Sequence, residues 1–245
     1  MLKYISIFFL LLNSCVSVND THYGVQDNQL ATLPARIAVL NCQSWPNSAR
    51  MKKQPISNVS IEVQEDLCKK FDKAVIKGFS SQPFMRGYSP KIVKKLLKIS
   101  KKQALTGALP QLWNKKSPCA KCDNVVSKYK EDVSNSEDWR MWLESFSKAT
   151  RNTDALLLPF AVYVTEHHIN DRGLEKAIRE SAIAMLLIDS GNGDLIWSGY
   201  RQTNVENQTF YKASKFPSLD FPSWKELYSR LFTNDIWNEF PGRQN

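Results

Sequence analysis

The stretch Ile178–Ile188 (IRESAIAMLLI), the turn Asp189–Asp194 (DSGNGD) and the stretch Leu195–Thr203 (LIWSGYRQT) decide the fold. Two apolar segments of strand length flank a turn built from Asp, Asn, Ser and Gly, which is the pattern of an antiparallel hairpin. The oxygen side chains of the turn miss the spacing of a twelve-residue calcium loop, and a hairpin turn accounts for them. We therefore predict an antiparallel hairpin in the C-terminal part of the chain.

The remaining periodic segments alternate between strand and helix patterns. Strands are predicted at 36–42, 84–88 and 154–164, and helices at 60–81, 91–102, from a Ser134-x-x-Glu137 capping box onward, and at 223–232. Pro159 has no ladder donor, so it predicts a bulge or a strand edge. The order predicts an α/β (α+β) fold, in which helices cover a mixed sheet of about five strands that ends in the hairpin.

The N-terminus has the layout of an export signal, with Lys3, a short apolar run and then Leu12-Asn13-Ser14-Cys15. The run is too short to span a bilayer, since about 20 residues are needed. Its ending resembles the lipobox of bacterial lipoproteins, in which the cysteine carries palmitate-type acyl chains and becomes the mature N-terminus. Asn13 is unusual in a lipobox, and the alternative is a plain signal peptide that releases a soluble secreted protein.

These boundaries predict a signal peptide at 1–14, a lipidated N-terminus with a flexible tether at 15–34, and a single α/β domain at 35–245. A tether of that length reaches on the order of 25 Å. Val16 follows the cysteine where an Asp would retain a lipoprotein in the inner membrane of some diderm bacteria. The expected location is therefore the outer membrane, with the domain facing the periplasm.

The composition is that of an ordinary globular domain, with 42% apolar and 23% charged residues, and the net charge is +9. A basic balance favours anionic partners such as lipid headgroups, glycans or an acidic protein. Export argues against nucleic acid. The lysines cluster on the second predicted helix, which Ser89-Pro90 opens and whose predicted inward residues are Ile92, Val93, Leu96, Leu97 and Ile99. Its outward face carries a candidate patch for an anionic partner. Its members are Lys91, Lys94, Lys95, Lys98, Lys101 and Lys102. The alternative is a solvated helix face.

Cysteine usage fits an oxidising compartment. Acylation of Cys15 would leave four of the five cysteines, Cys42, Cys68, Cys119 and Cys122, and an even number predicts two disulfides. Three connectivities are open, and we favour Cys119 with Cys122, which leaves Cys42 for Cys68. Cys119-Ala-Lys-Cys122 is also a candidate thiol-disulfide redox pair, because the lysine favours a thiolate. A zinc site from all four lacks a second Cys-x-x-Cys.

Other catalytic signatures are missing from the sequence. No phosphate-binding glycine loop, Gly-x-Ser-x-Gly or His-Glu-x-x-His occurs. His167 and His168 are adjacent, and neighbours on a strand point to opposite faces, so one metal ion would not suit both. We place them in a loop at the end of a strand. A catalytic site, a metal and a cofactor are therefore not expected.

The lipobox, the strand at 36–42, the long helix after it, the strand from Asp154 and the Gly193–Gly199 hairpin segment together resemble a group of envelope lipoprotein domains. The group includes the curli-secretion lipoprotein, the lipoprotein activators of penicillin-binding proteins and the amino-terminal domain of the TolB protein. The resemblance covers about residues 35–204. The chain departs from the curli-type pore former by an extra basic, cysteine-bearing segment at 91–130 and by showing no long alternating hairpins.

The resemblance implies a non-catalytic binding or assembly domain, held to a membrane by its lipid, with another envelope component as partner, by analogy a protein. No catalytic residues carry over from the group. The competing expectations are a periplasmic redox protein that uses Cys119 and Cys122, and a soluble secreted binding protein.

Overall fold

The described part of the chain forms a mixed sheet of six strands. The computed structural model describes residues 20–26, 34–42, 61–80, 85–106, 126, 129–171, 173–210, 219–233, 237 and 240–241. The strands are β1 (Asp20–Gln26), β2 (Arg36–Val39), β3 (Arg86–Tyr88), β4 (Ala155–Asp171), β5 (Leu174–Asp189) and β6 (Leu195–Phe210). They lie in the order β1-β6-β5-β4-β2-β3. β2 runs parallel to β3 and β4, and the other pairs are antiparallel.

Helices cover both faces of this sheet. They are α1 (Ile61–Ser80), α2 (Pro90–Ile99), α3 (Glu137–Ala149) and α4 (Trp224–Leu231), with a π-helical turn at Tyr129–Val133. α2, α3 and the π-helical turn bury their apolar side chains on one face, the α2–α3 face. α1 and α4 bury theirs on the opposite face, the α1–α4 face. The predicted α/β fold, with a mixed sheet covered by helices, is confirmed.

The central strand β5 shows why helices must pack on both faces of the sheet. Ala182, Ala184, Leu186 and Ile188 lie on the α2–α3 face, whereas Ile183, Met185 and Leu187 lie on the α1–α4 face. All seven side chains are buried. Successive side chains of a strand point to opposite faces, so a continuous apolar run requires cover on both sides. The run that predicts the hairpin therefore also demands the two helical layers.

The predicted hairpin is confirmed, and the strands are longer than predicted. β5 and β6 pair from Ile188 opposite Leu195 to Leu174 opposite Phe210. β4 continues to Asp171 and forms a second long hairpin with β5, so the expectation that the chain contains no long hairpins is wrong. The outer halves are polar, and cross-strand ion pairs replace apolar packing there. Arg179 Nε lies 2.7 Å from Glu166 Oε1, directly opposite in the ladder.

Pro159 lies at a bulge, one of the two predicted outcomes. The register of β4 against β5 shifts between Pro159 and Ala161. Pro159 still lies opposite Met185, and the residue left out of the pairing is Phe160, so the ladder is interrupted directly beside the proline that lacks an N–H.

The turn of the β5–β6 hairpin is fixed by its own side chains and by a buried tyrosine. Asp189 Oδ1 accepts hydrogen bonds from the N–H groups of Gly191 at 2.7 Å and Asn192 at 3.1 Å. Tyr129, fully buried in the π-helical turn, donates its hydroxyl hydrogen to the carbonyl oxygen of Gly193. The same hydroxyl accepts from Trp139 Nε1 at 3.1 Å. Burial, which disfavours the anion, raises the pKa of Tyr129 well above its ordinary value.

Two predicted features differ from the structure. The capping box is wrong, because α3 begins after Ser136, and the Ser134 hydroxyl instead donates to the carbonyl oxygen of Lys130 at 3.0 Å in the π-helical turn. The flexible tether predicted for 15–34 is interrupted, because residues 20–26 form β1 and pair with β6 from Asp20 opposite Thr203 to Gln26 opposite Trp197. An edge strand is held by backbone hydrogen bonds, which a polar sequence can supply as well as an apolar one.

Candidate functional site

The predicted lysine patch stands on α2, a short helix with defined ends. Ser89 caps it, with the hydroxyl oxygen accepting from the N–H of Ile92 at 3.4 Å, and Pro90 occupies the first turn as predicted. Val93, Leu96 and Leu97 form the buried stripe. The Ser100 hydroxyl donates to the carbonyl oxygen of Leu96 at 2.9 Å, which closes the C-terminus. The helix is therefore a fixed platform for its outer face.

All six lysines of the patch are exposed. Lys91, Lys94, Lys95 and Lys98 project from the helix, whereas Lys101 and Lys102 follow its end, Lys101 with a left-handed φ of 56°. Among the described residues, no carboxylate lies within ion-pair distance of any of the six. The first turn of α2 carries no acidic residue either. The patch is therefore a concentration of uncompensated positive charge.

Two isoleucines predicted to point inward are exposed instead. Ile92 is 43% and Ile99 66% exposed, and they lie seven residues apart on one flank of α2. α2 is short, and the side chains that it buries are those of Val93, Leu96 and Leu97, which lie three and four residues apart. Ile92 and Ile99 lie beside this buried stripe and therefore remain exposed. The lysine face, meaning the six lysines together with Ile92 and Ile99, thus offers apolar contact beside positive charge.

Cys42 and Cys68 are joined in a disulfide, the pairing that the sequence favours. The bond ties the residues after β2 to the second turn of α1. Asp72 lies one turn further along α1 and accepts a hydrogen bond from the Cys42 N–H at 3.2 Å. Burial raises the pKa of the Asp72 carboxyl to about 6, although that hydrogen bond favours the charged form. Cys15, Cys119 and Cys122 lie outside the described residues, and with them the lipidation site and the second pairing.

The two adjacent histidines lie inside β4, so the predicted loop is wrong at this position. His167 Nε2 is 3.0 Å from the Thr165 hydroxyl oxygen on the same face. His168 packs against Phe221 on the opposite face, with ring centroids 4.2 Å apart. The prediction that one ion would not suit both agrees with these opposite directions. The described residues contain no cluster of three His, Cys, Asp or Glu side chains arranged for a metal.

The outer part of the α1–α4 face is closed by the segment that leads into α4. Arg179, half-buried on β5, stacks its guanidinium 3.8 Å from the ring centroid of Trp224 and donates to the carbonyl oxygen of Pro222. Glu175 Oε1 accepts from the N–H of Leu219 at 2.9 Å. The Arg179 guanidinium lies between the Glu166 carboxylate and the Trp224 ring, and these contacts give it a structural role.

The opposite side of the outer sheet carries polar and apolar side chains under no helix of the described chain. Lys176 Nζ lies 3.3 Å from Glu206 Oε1 across the β5–β6 pair. Ile169, near the end of β4, is 45% exposed. Gly173 turns the chain into β5 with a φ of 85°, which glycine adopts without strain.

Sequence reasoning missed β1, although a signal for it exists. Thr21, Tyr23 and Val25 alternate with His22, Gly24 and Gln26, and β-branched or aromatic residues at alternate positions are typical of strands. The polar neighbours and the position close to the predicted signal peptide favour a linker when the segment is considered alone. Only its partner β6 makes it a strand.

Comparison with known proteins gives little guidance. No protein-family model matches the chain, and no curated protein matches it. Among solved structures it is similar to the PelC dodecamer from Paraburkholderia phytofirmans, at 10% identity and a TM-score of 0.36, over 92% of this chain and 100% of that one. A leucine-to-methionine variant of that dodecamer gives 10% identity and a TM-score of 0.34, over 94% and 100%. Similarities this weak carry no argument about role.

In the part of the chain that the structure describes, no helix has the length and apolar character to cross a membrane.

Proposed function

We propose that this protein is exported, acylated at Cys15 and anchored to the cell envelope, where its α/β domain binds an acidic envelope protein through the lysine face. The observation that carries the binding proposal is the uncompensated charge of six exposed lysines, four on a capped and packed helix and two directly after it. The signal-like N-terminus and its lipobox resemblance support the anchor. The role is non-catalytic, and the proposed location is the outer membrane, facing the periplasm.

The form of the lysine face favours a protein partner over a purely ionic surface. Charges provide attraction over a distance and are screened by salt. Ile92 and Ile99 add exposed apolar area beside the charges, and specific interfaces combine an apolar centre with polar surroundings. An acidic protein with an apolar ridge would satisfy both halves. An anionic glycan would use the charges alone.

A site-specific crosslinking experiment tests this proposal. A photo-crosslinker at Lys95 in the full chain, activated in intact envelopes, is expected to join one acidic protein. The triple change Lys94→Glu, Lys98→Glu and Lys91→Glu should abolish the product. A matched control reverses Lys69, Lys73 and Lys225, which are also exposed but lie on α1 and α4. Retention in the control and loss at about 1 M salt would support a specific charged interface.

Other outcomes of the same experiment exclude the proposal. Equal loss in both triple variants would show that only net charge matters. Crosslinks to lipid or glycan alone would replace the protein partner. The mass of the mature N-terminus, measured in parallel, decides the anchor separately, since a Cys15 without acyl chains removes it.

A further inference from the structure

The lysine face is built on a short internal repeat. Residues 91–95 read KIVKK and residues 98–102 read KISKK, so the second unit begins seven residues after the first. Seven residues are close to two helical turns, and equivalent positions therefore lie above one another on one side of a helix. α2 ends at Ile99, so the repeat places two lysine–isoleucine pairs in rows along the helix, Lys91 with Ile92 and Lys98 with Ile99.

The two isoleucines form an apolar row that α2 does not use for its own packing. Ile92 and Ile99 are both exposed, and at 1.5 Å per residue they lie about 10.5 Å apart along the helix axis. Lys95 stands between them, three residues after Ile92 and four before Ile99, which is the spacing of neighbours on one helical side. The row lies beside the buried stripe of α2, so a partner can reach it while the helix stays on the sheet.

The spacing of this row favours a helical partner over an extended one. In an extended strand, side chains on one face recur at about 6.6 Å and again at about 13 Å, and neither distance matches the separation of the isoleucines. In a helix, residues two turns apart recur at the same distance as Ile92 and Ile99. One partner helix can therefore bring an apolar side chain to each isoleucine.

The lysines determine the charge of that helix. Lys91 and Lys98 directly precede the isoleucines and Lys95 separates them, and all three are exposed. Among the described residues, no carboxylate lies within ion-pair distance of these three ammonium groups. Where two helices pack side by side, charged residues that flank the apolar row form interhelical ion pairs. Carboxylates beside the apolar stripe of the partner would meet the lysines in this way.

We propose that the lysine face receives an acidic amphipathic helix, whose apolar stripe packs on Ile92 and Ile99. Its carboxylates lie beside Lys91, Lys95 and Lys98. This inference rests on the proposed binding through the lysine face and adds the form of the partner segment. α2 is already capped and packed on its own sheet, so only the partner helix has to be ordered when the two associate.

Peptide binding to the full chain tests the form of the partner. The probe is a fluorescent peptide of about four turns, with leucines about two turns apart and glutamates on the flanks of the leucine row. A control peptide has the same composition, reordered so that the leucines no longer share one side. At low salt we expect the amphipathic peptide to bind at least about tenfold more tightly in fluorescence anisotropy. It should also gain helical circular dichroism on binding, since so short a helix is marginal when free.

Isoleucine variants test the contact itself. The double variant Ile92→Gln, Ile99→Gln should bind the amphipathic peptide no more tightly than the control peptide, whereas Ile169→Gln, at an exposed isoleucine of β4, should bind it as the parent does. Equal affinity of the parent for the two peptides, or binding without a gain of helix, would overturn the helical partner and leave a charged interface in place. Failure of both peptides to bind would exclude the lysine face as a binding site, and the proposed binding with it.

Discussion

The carboxylate of Asp154 binds both the backbone and the side chain of Arg36, and so fixes the start of β4 against the start of β2. Asp154 Oδ2 accepts from the N–H of Arg36 at 2.8 Å, and Oδ1 accepts from Arg36 Nη2 at 3.1 Å. The Asp154 N–H donates in turn to the carbonyl oxygen of Arg36 at 2.8 Å. Parallel strands have no connecting turn to set their register, and the contacts between Arg36 and Asp154 set the register of β2 against β4.

Asp154→Ala should lower the free energy of unfolding by about 1–2 kcal/mol, since charge-assisted hydrogen bonds are lost from a partly exposed site. Arg36→Lys removes the guanidinium but keeps the backbone contacts, and we expect a smaller loss of about 0.5 kcal/mol. Urea unfolding followed by tryptophan fluorescence gives both values. Equal losses in the two variants would contradict the dominance of the backbone contacts.

The Cys42–Cys68 disulfide should contribute about 3 kcal/mol, because it closes a loop with a sequence separation of 26 in the unfolded chain. The double variant Cys42→Ala, Cys68→Ala is expected to show that loss in urea unfolding under oxidising conditions. The parent, once reduced, should match it. The variant Cys119→Ser, Cys122→Ser is the control for thiols elsewhere. A change below about 1 kcal/mol in the first variant would exclude a stabilising role.

Asp72 should make the protein less stable as the pH rises toward neutral. Its pKa is raised from 3.8 to about 6 by burial, so the folded state binds this proton more tightly than the unfolded state does. Its contribution to the free energy of unfolding is largest below pH 3.8 and declines until about pH 6. For this half-buried carboxyl we expect a difference of about 1–2 kcal/mol.

Asp72→Asn removes the titration and keeps an oxygen that can accept from the Cys42 N–H. Relative to the parent, the variant should gain about 1 kcal/mol at pH 7 and little at pH 4. Asp72→Ala, which lacks the acceptor, is the control for the hydrogen bond. A difference between Asp72→Asn and the parent that stays constant from pH 4 to pH 7 would disprove the pKa shift.

Tyr129→Phe should lower the free energy of unfolding by about 1–3 kcal/mol, because it removes two buried hydrogen bonds, one from the Trp139 N–H and one to the Gly193 carbonyl oxygen. Hydrogen exchange should show faster opening of the turn at residues 189–194 than of the β4–β5 hairpin. Uniform acceleration across both hairpins would mean that the tyrosine supports the whole core instead. Ser134→Ala, at an exposed hydrogen bond of the same π-helical turn, serves as the mild control.

The sequence predicts the inner half of the fold and fails at the outer half. Ile183 to Ile188 form an apolar run that needs two covered faces, and that requirement is visible in composition alone. Residues 165–171 are mostly polar, and they are held in the sheet by their backbone pairing with β5, to which cross-strand ion pairs such as Glu166 with Arg179 are added. Pairs of this kind join residues on different strands, and hydrophobic periodicity along the chain does not indicate them. The same limit hid β1, whose partner lies at the far end of the chain.

The candidate site divides in the same way. Helical spacing locates the six lysines and the Pro90 start of α2, since both are local patterns. The exposure of Ile92 and Ile99 depends on where α2 meets the sheet, and periodicity in so short a helix does not fix which flanking residue is covered.

The union of β1 with β6 also has a consequence for the order of folding. Asp20 is synthesised early, whereas Thr203 follows only after most of the chain. Hairpins between neighbouring strands close within microseconds, while contacts between distant segments wait for larger loops to close. We therefore expect β1, the first strand in the chain, to pair last. Until it pairs, the backbone N–H and C=O groups along the edge of β6 can pair with strands of other molecules. The pairing of β1 both adds the sixth strand to the described sheet and covers the open edge of β6.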